Sequence, residues 1–430
     1  MKILLKNATL LPEYGYGSAL VHILVKDKKI KEIYTELPVD LAVNETVDCG
    51  GNLLIPAFYN AHCHAAMTLF RGFGEDLPLK RWLEEKIFPA EERLTFRSVY
   101  HATMLAIAEM LKSGIACFSD MYMFEDAVAE AVLATGIKAN LSRSLVSFDP
   151  EIEMGKENRM IEAIRLAEWY HGIDEGRILV DFSLHAEYTN VPKACSYVAD
   201  IASRFKTGMQ IHLSETENEH NECIGRWGKT PTEFFRDTGV LDLPTTAAHG
   251  VYLTESDVAI LAEKKASVAH NPVSNLKLGS GVMPIRRLID GGVNVALGTD
   301  GVASNNRLDM LRELQTAAIL HKGVNRDPEA IKAPEAFKLA TLNGAIAQRR
   351  FDCGSIRVGN RADLVLLDRT SLHNMPNYDD YAMIAYSAER SDVRMTMVDG
   401  RILYRNGEYT SIDEERLRHD CRETFAHYFD

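Results

Sequence analysis

His62-Cys63-His64 is the first place in this chain where residue types and spacing together could do chemistry. It closes the apolar run Leu53–Ala61. In a strand, residues i and i+2 point to the same side, so both imidazoles can meet one ion. Alone, His-x-His is equally what two unrelated surface histidines look like. Three further runs end in the same way. Gln210-Ile211-His212-Leu213-Ser214-Glu215 puts an imidazole at a strand end with a carboxylate three residues on. Ala247-Ala248-His249-Gly250 ends on another histidine, and Val295-Ala296-Leu297-Gly298-Thr299-Asp300 ends on an aspartate. Any one of these is ordinarily a satisfied structural polar residue. All of them at successive strand ends are hard to explain without a metal.

Three imidazoles and one carboxylate suit a borderline divalent ion, zinc first, with one position left for water. We therefore expect His62, His64, His212 and Asp300 to hold one divalent ion; iron, manganese and cobalt are accepted by the same donors. A ligating water has its pKa lowered to about 7. Asp300 then both holds the ion and accepts the proton of its water, while His249 orients and stabilises that water. Glu215 serves as general acid and base toward a ring nitrogen. This division of labour suits hydrolytic attack on an amidine carbon such as C6 of adenine. A glutamate that is not a ligand shuttles protons in a different class of zinc deaminase.

The elements around these residues alternate. Strand-length apolar runs are Ala116–Asp120, Ala139–Ser142, Ile178–Ser183, Gly208–Leu213, Thr245–His249, Ala266–His270 and Asn294–Thr299. Helix-period segments follow most of them: Tyr100–Lys112, Asn158–Tyr170, Val191–Phe205, Glu255–Lys264 and Leu308–His321. Strand then helix, repeated about eight times over 58–349, predicts a (β/α)8 barrel, with the chemistry at the C-terminal ends of its strands. A doubly wound open sheet is the alternative that periodicity does not separate, although no glycine-rich dinucleotide fingerprint supports it. Short strands at Ile3–Leu5, Val21–Val25, Lys31–Tyr34 and Asn52–Ile55 resemble those at 362–368 and 395–404. Residues 1–57 and 350–410 are thus expected to form one small β-sandwich from both chain ends, with an amphipathic helix over 411–430.

A chain of 430 residues suffices for a barrel-sized domain and an accessory one. Its net charge of -13 argues against nucleic acid or an anionic membrane as partner and leaves a small-molecule substrate. The seven cysteines stand singly, so neither a thiolate zinc site nor a disulfide framework is suggested. Met1-Lys2-Ile3-Leu4-Leu5-Lys6 lacks the long apolar core of a signal peptide, and no apolar run reaches eighteen residues. The expected setting is cytoplasmic.

The stretches Pro56–Gly72, His212–Thr216, His270–Gly279 and Gly298–Asn306 resemble the amidohydrolase superfamily, and most closely its methylthioadenosine/S-adenosylhomocysteine deaminases. The resemblance runs through nearly the whole chain, including Leu77–Leu83 and Gly359–Leu364. It implies a (β/α)8 barrel with a small β-sandwich, one divalent ion and an adenosine derivative as substrate. It further implies that Glu91 holds the ribose hydroxyls, that His185 contacts the purine, and that Arg143 and Arg159 meet the 5' substituent. Trp82 would wall the pocket. A carboxylate accepts from two vicinal hydroxyls at once, and arginine grips a carboxylate in two places, so these residue types suit those tasks. Without the resemblance, Glu91 and the arginines would read as solvated surface charges. Cys63 departs from the threonine expected between the histidines, and as a neighbour on the opposite strand face it should pack. His270 should be structural. No lysine occupies the strand before His185, which favours one metal over two.

A second enzyme reading keeps the metal and changes the substrate to guanine, 8-oxoguanine or a triazine. A third is a catalytically silent scaffold, disfavoured because every ligand and both proton-handling residues are present. A pocket arginine near a subunit edge would fit a homo-oligomer.

Overall fold

The computed structural model describes residues 1–426 and 428. Its centre is a parallel barrel of eight strands: Phe58–Cys63, Ile115–Tyr122, Lys138–Leu145, Phe182–Leu184, Met209–Leu213, Thr245–His249, Ser267–His270 and Asn294–Leu297. Each strand pairs with the next in chain order. The strands are buried along most of their length, Ile115–Tyr122 at every position and Lys138–Leu145 at all but Arg143 and Ser144, because one face fills the barrel and the other meets helices. That double burial is why the sequence shows continuous apolar runs rather than alternation. The last and first strands are joined at a seam. Asp300 N–H donates to the His62 carbonyl at 3.0 Å. The Asn60 side chain accepts from Thr299 N at 2.9 Å and donates to Thr299 Oγ1 at 2.7 Å.

Two sheets complete the architecture. One has the order Lys29–Tyr34, Val21–Lys26, Lys2–Ala8, Glu45–Asp48. The other runs Glu408–Tyr409, Arg401–Arg405, Val393–Val398, Leu364–Leu367, Leu53–Pro56. Ile3, Leu5, Val25, Leu54, Leu364 and Met395 form the core between them.

Several expected elements change in detail. The run Leu53–Ala61 splits into one strand for the second sheet and one for the barrel, so Pro56-Ala57 is the crossing point. The run Ile178–Ser183 is two short strands separated at Asp181. The buried Asp181 carboxylate accepts there from Gly208 N at 3.1 Å and Asn140 Nδ2 at 3.1 Å. Residues 395–404 fold back on themselves through Asp399-Gly400, both at positive φ. Glu45–Asp48 went unseen because only Val47 of the four is buried. The terminal helix covers Glu414–Phe425, capped by Asp413; residues 427, 429 and 430 of the expected helical segment lie outside the described residues.

Where the second sheet meets the barrel, Lys138 is only 1% exposed. Its Nζ lies 2.6 Å from Asp363 Oδ2 and 2.7 Å from Asp399 Oδ1. Tyr59 donates its hydroxyl to Asp363, and Arg361 reaches Asp399 at 3.2 Å. Among the described residues no helix is long and apolar enough to cross a membrane.

Candidate active site

A cavity of about 650 Å³ opens at the C-terminal ends of the barrel strands. Every expected site residue except His62 lines it, and His62 sits buried against the same cluster. Trp82 is part of its wall.

His62 and His64 come from the end of the first strand and the turn beyond it, His212 from the fifth strand, and Asp300 from just past the eighth. Two overlapping groups, His62/His64/Asp300 and His62/His212/His249, each bring their ligand atoms within 4.8 Å of one another. Asp300 Oδ1 is 3.2 Å from His64 Nε2 and 3.6 Å from His62 Nε2, and His212 Nε2 is 3.4 Å from His64 Nε2. The far nitrogens are already engaged: His64 Nδ1 donates to the Met121 carbonyl and His212 Nδ1 to the His185 carbonyl, both at 2.7 Å. A proton fixed on Nδ1 leaves the Nε2 lone pair for an ion. His62 Nε2 is buried without a hydrogen-bond partner.

Electrostatics support the same fit. Burial pushes His62 down to about 4 and His212 well below the usual imidazole range, so both are neutral donors at pH 7. Burial works against the charge of Asp300, but the imidazoles of His62 and His64 hold its carboxyl well below the carboxylate range. His64 is opposed by burial in the same way, yet Asp300 raises it to about 9. The carboxylate therefore demands one positive charge, which a proton on His64 or a divalent cation supplies. Metal analysis should find one divalent ion per chain, and His62→Ala should empty the site without unfolding the barrel. Two ions per chain would sink the single-metal reading.

His249 plays a different part. Its Nδ1 accepts from Asn275 Nδ2 at 2.9 Å, so a neutral ring carries its proton on Nε2, which faces Glu215 Oε2 at 3.7 Å. A protonated Nε2 does not ligate. Glu215 is buried, and burial followed by the charge of Asp300 raises it to about 8. Ser280 donates to its Oε1 at 3.2 Å. At neutral pH Glu215 is a carboxylic acid with a proton to give.

Glu91 ends the helix Phe88–Glu91, which continues from Leu79–Trp82 through a π turn at Leu83–Ile87. Trp82, Leu83, Ile87, Phe88 and Glu91 of this segment line the cavity. Glu91 is 7% exposed, and burial lifts its carboxyl to about 7 against the pull of Tyr122, His64 and Arg143. His185 is held neutral by burial, at about 4, with Nδ1 3.3 Å from Thr189 Oγ1. Arg143 gives Nε to Glu162 at 2.6 Å and NH1 to the Ser144 carbonyl at 2.8 Å. Arg159 is exposed and donates to the Val146 carbonyl at 3.1 Å.

Sequence reasoning missed the residues that hold these groups. Ser274 and Ser304 donate to Asp300 Oδ2 at 2.6 and 2.9 Å, leaving Oδ1 toward the histidines. The signal was the run Asn271-Pro272-Val273-Ser274-Asn275, polar at three positions yet buried throughout. Cys63 is buried, and His270 pairs with His321 at 3.0 Å and does not line the cavity.

Residues 53–403 match the profile described as the Amidohydrolase family. The chain is 42% identical to the 5-methylthioadenosine/S-adenosylhomocysteine deaminase of Moorella thermoacetica, over 97% of each. Among solved structures it is similar to an adenosine deaminase from Xanthomonas campestris with bound zinc: TM-score 0.92, 32% identity, 99% of this chain and 98% of that one. An atrazine chlorohydrolase from Arthrobacter aurescens, also complexed with zinc, superposes with a TM-score of 0.90 over 98% of this chain and 100% of that one; at 21% identity it speaks for the fold alone.

Proposed function

Because this chain belongs to the amidohydrolase family, we propose that it is a metal-dependent deaminase that hydrolyses the 6-amino group of an adenosine derivative, giving the inosine analogue and ammonia. One observation carries the reading. A carboxylic acid held protonated, Glu215, stands beside a histidine–aspartate cluster in a cavity that also contains a buried carboxyl, Glu91, suited to a sugar diol. S-adenosylhomocysteine, 5'-methylthioadenosine, 5'-deoxyadenosine and adenosine are the candidate substrates.

His62, His64, His212 and Asp300 would hold the ion, zinc being our choice on its donor set and on the zinc in the similar deaminase structure. When bound, such an ion supplies Lewis acidity that brings water's pKa from 15.7 toward about 7. Asp300, ionised and fixed by two serine hydroxyls, accepts the proton of the attacking water. His249, whose proton the Asn275 bond fixes on Nε2, would stabilise the growing charge on that oxygen. Glu215 delivers its proton to the ring nitrogen beside the attacked carbon; the amine departs with the proton that Asp300 took from the water, and the proton of the new hydroxyl returns to Glu215 as the carbonyl forms. Glu91 accepts from the ribose hydroxyls and His185 faces the purine. Exclusion of bulk water falls to the helical cover around Trp82.

We assign the catalytic barrel to 58–349 and the sandwich to 1–57 and 350–410, with the helix Glu414–Phe425 in the segment that follows. The seven buried, unbridged cysteines support a reducing compartment, and we place the protein in the cytoplasm, as a homo-oligomer.

The test is ammonia release, with the matching ultraviolet change, from metal-replete protein given the four nucleosides, adenine and guanine. Turnover of nucleosides but not free bases supports the reading; turnover of guanine alone overturns the role of Glu91. Arg159 lines the cavity with its guanidinium on the Val146 carbonyl rather than on a carboxylate, whereas Arg143 is tied to Glu162. Arg159→Ala should therefore lower kcat/KM for S-adenosylhomocysteine about three- to tenfold, since only that substrate carries a tail carboxylate, and leave 5'-methylthioadenosine nearly unchanged. Equal losses on both would remove Arg159 from the tail site.

A further inference from the structure

Thr216-Glu217-Asn218-Glu219 has the form of a capping box, in which the third helical residue returns its carboxylate to the N-cap amide. Half of that box is present: Thr216 Oγ1 accepts from Glu219 N at 3.1 Å. The other half is not. The Glu219 carboxylate reaches further back, with Oε1 accepting from Ser214 N at 2.9 Å and Oε2 from Glu215 N at 2.8 Å. The side chain is buried, so both oxygens are committed to these two amides.

Those amides lie in the turn that carries the proton donor. Ser214 sits at φ +45°, a left-handed conformation that a serine does not adopt freely. Its carbonyl accepts from Val251 N at 3.1 Å and Tyr252 N at 3.0 Å, and Gly250 N donates to the Leu213 carbonyl at 2.9 Å. One short turn therefore couples Glu215 to the loop that follows His249, itself at positive φ. A helix cap alone needs none of this.

We propose that Glu219 is a positioning residue for the deamination: its carboxylate clamps the Ser214 and Glu215 amides and so fixes the Glu215 carboxyl, and the loop after His249, relative to the bound ring. The proposal rests on the reading of Glu215 as proton donor. Glu219→Gln keeps size and helix propensity but turns an NH2 toward one of two N–H donors, breaking one arm of the clamp.

The experiment is a double-mutant cycle on metal-loaded protein. Glu219→Gln should lower kcat about 10- to 100-fold with KM changed less than about threefold, since a shift near 1 Å at a reacting group costs on the order of a hundredfold. In a Glu215→Gln background the same substitution should cost less than about twofold more, because the group it positions is already gone. Amide hydrogen exchange at 214 and 215 should accelerate in Glu219→Gln. A fall in Tm with unchanged kcat per metal-loaded site would mark Glu219 as a helix cap only and overturn the proposal, as would losses that multiply across the cycle. If the wild-type protein deaminates no nucleoside, the functional reading fails separately. Exchange at 214 and 215 then decides the clamp: faster exchange supports it, and unchanged exchange overturns it.

Discussion

Glu215→Gln should keep its metal ion and lose turnover by about 10²- to 10⁴-fold, the range associated with a positioned general acid–base group. Glutamine preserves the side-chain volume and can still accept from Ser280, so cavity shape is not at issue. What disappears is a transferable proton. In the wild type, burial and the neighbouring Asp300 raise this carboxyl to about 8. Its acid form is therefore present below that pH and lost above it. We expect kcat to hold through neutrality, decline as pH rises through about 8, and show no such alkaline limb in the variant. Steady-state ultraviolet assays across pH, with metal content measured on the same samples, check both halves. Wild-type turnover in Glu215→Gln, or an alkaline limb that survives the substitution, would remove Glu215 from the proton path.

The second large effect lies far from the chemistry. Lys138→Met should destabilise the fold by about 3–5 kcal/mol, as expected when one partner of a buried ionic cluster is removed and the others remain charged. Asp363 and Asp399 would keep their burial and lose the ammonium that touches both. Asp363, held below the usual carboxylate range by Lys138 despite its burial, is the group most exposed to that loss. The double variant Lys138→Met with Asp363→Asn should recover part of the stability, since the uncompensated charge is gone. Thermal and denaturant unfolding measure both, and a loss below about 1 kcal/mol in the single variant would mean that Arg361 and Tyr59 already satisfy the aspartates.

The two sites also differ in how they could be read. Ligand-type residues at strand ends were legible because a barrel places every strand end on one rim, so position along an apolar run doubles as position in space. Thr245–His249 is the plainest case, with strand bounds and terminal histidine agreeing. Asn275 and Ser274 were not legible in that way: they sit on a short helix past the seventh strand, and their partners stand on other elements, His249 at the end of the sixth strand and Asp300 just past the eighth. Glu91 looked like a solvated helix residue because its burial comes from the segment folding over the cavity, a tertiary event without local period. Lys138 read as one charge inside an apolar run, and its partners stand more than two hundred residues later. The strand at Glu45–Asp48 was invisible for the opposite reason, since a parallel edge partner with one buried side chain leaves no pattern.

The seam of the barrel has a consequence of its own. The polypeptide enters the ring at Phe58 and leaves it at Leu297, and the two ends meet through one backbone hydrogen bond and the Asn60 amide, where neighbouring strands elsewhere share a ladder. His62 stands on one lip of that seam and Asp300 on the other. An ion held by both is then a rivet as well as a reagent: it spans the weakest join of the cylinder and ties the oldest contact in chain order to the newest. Removing such an ion, as in His62→Ala, should therefore loosen this join of the ring while the barrel stays folded.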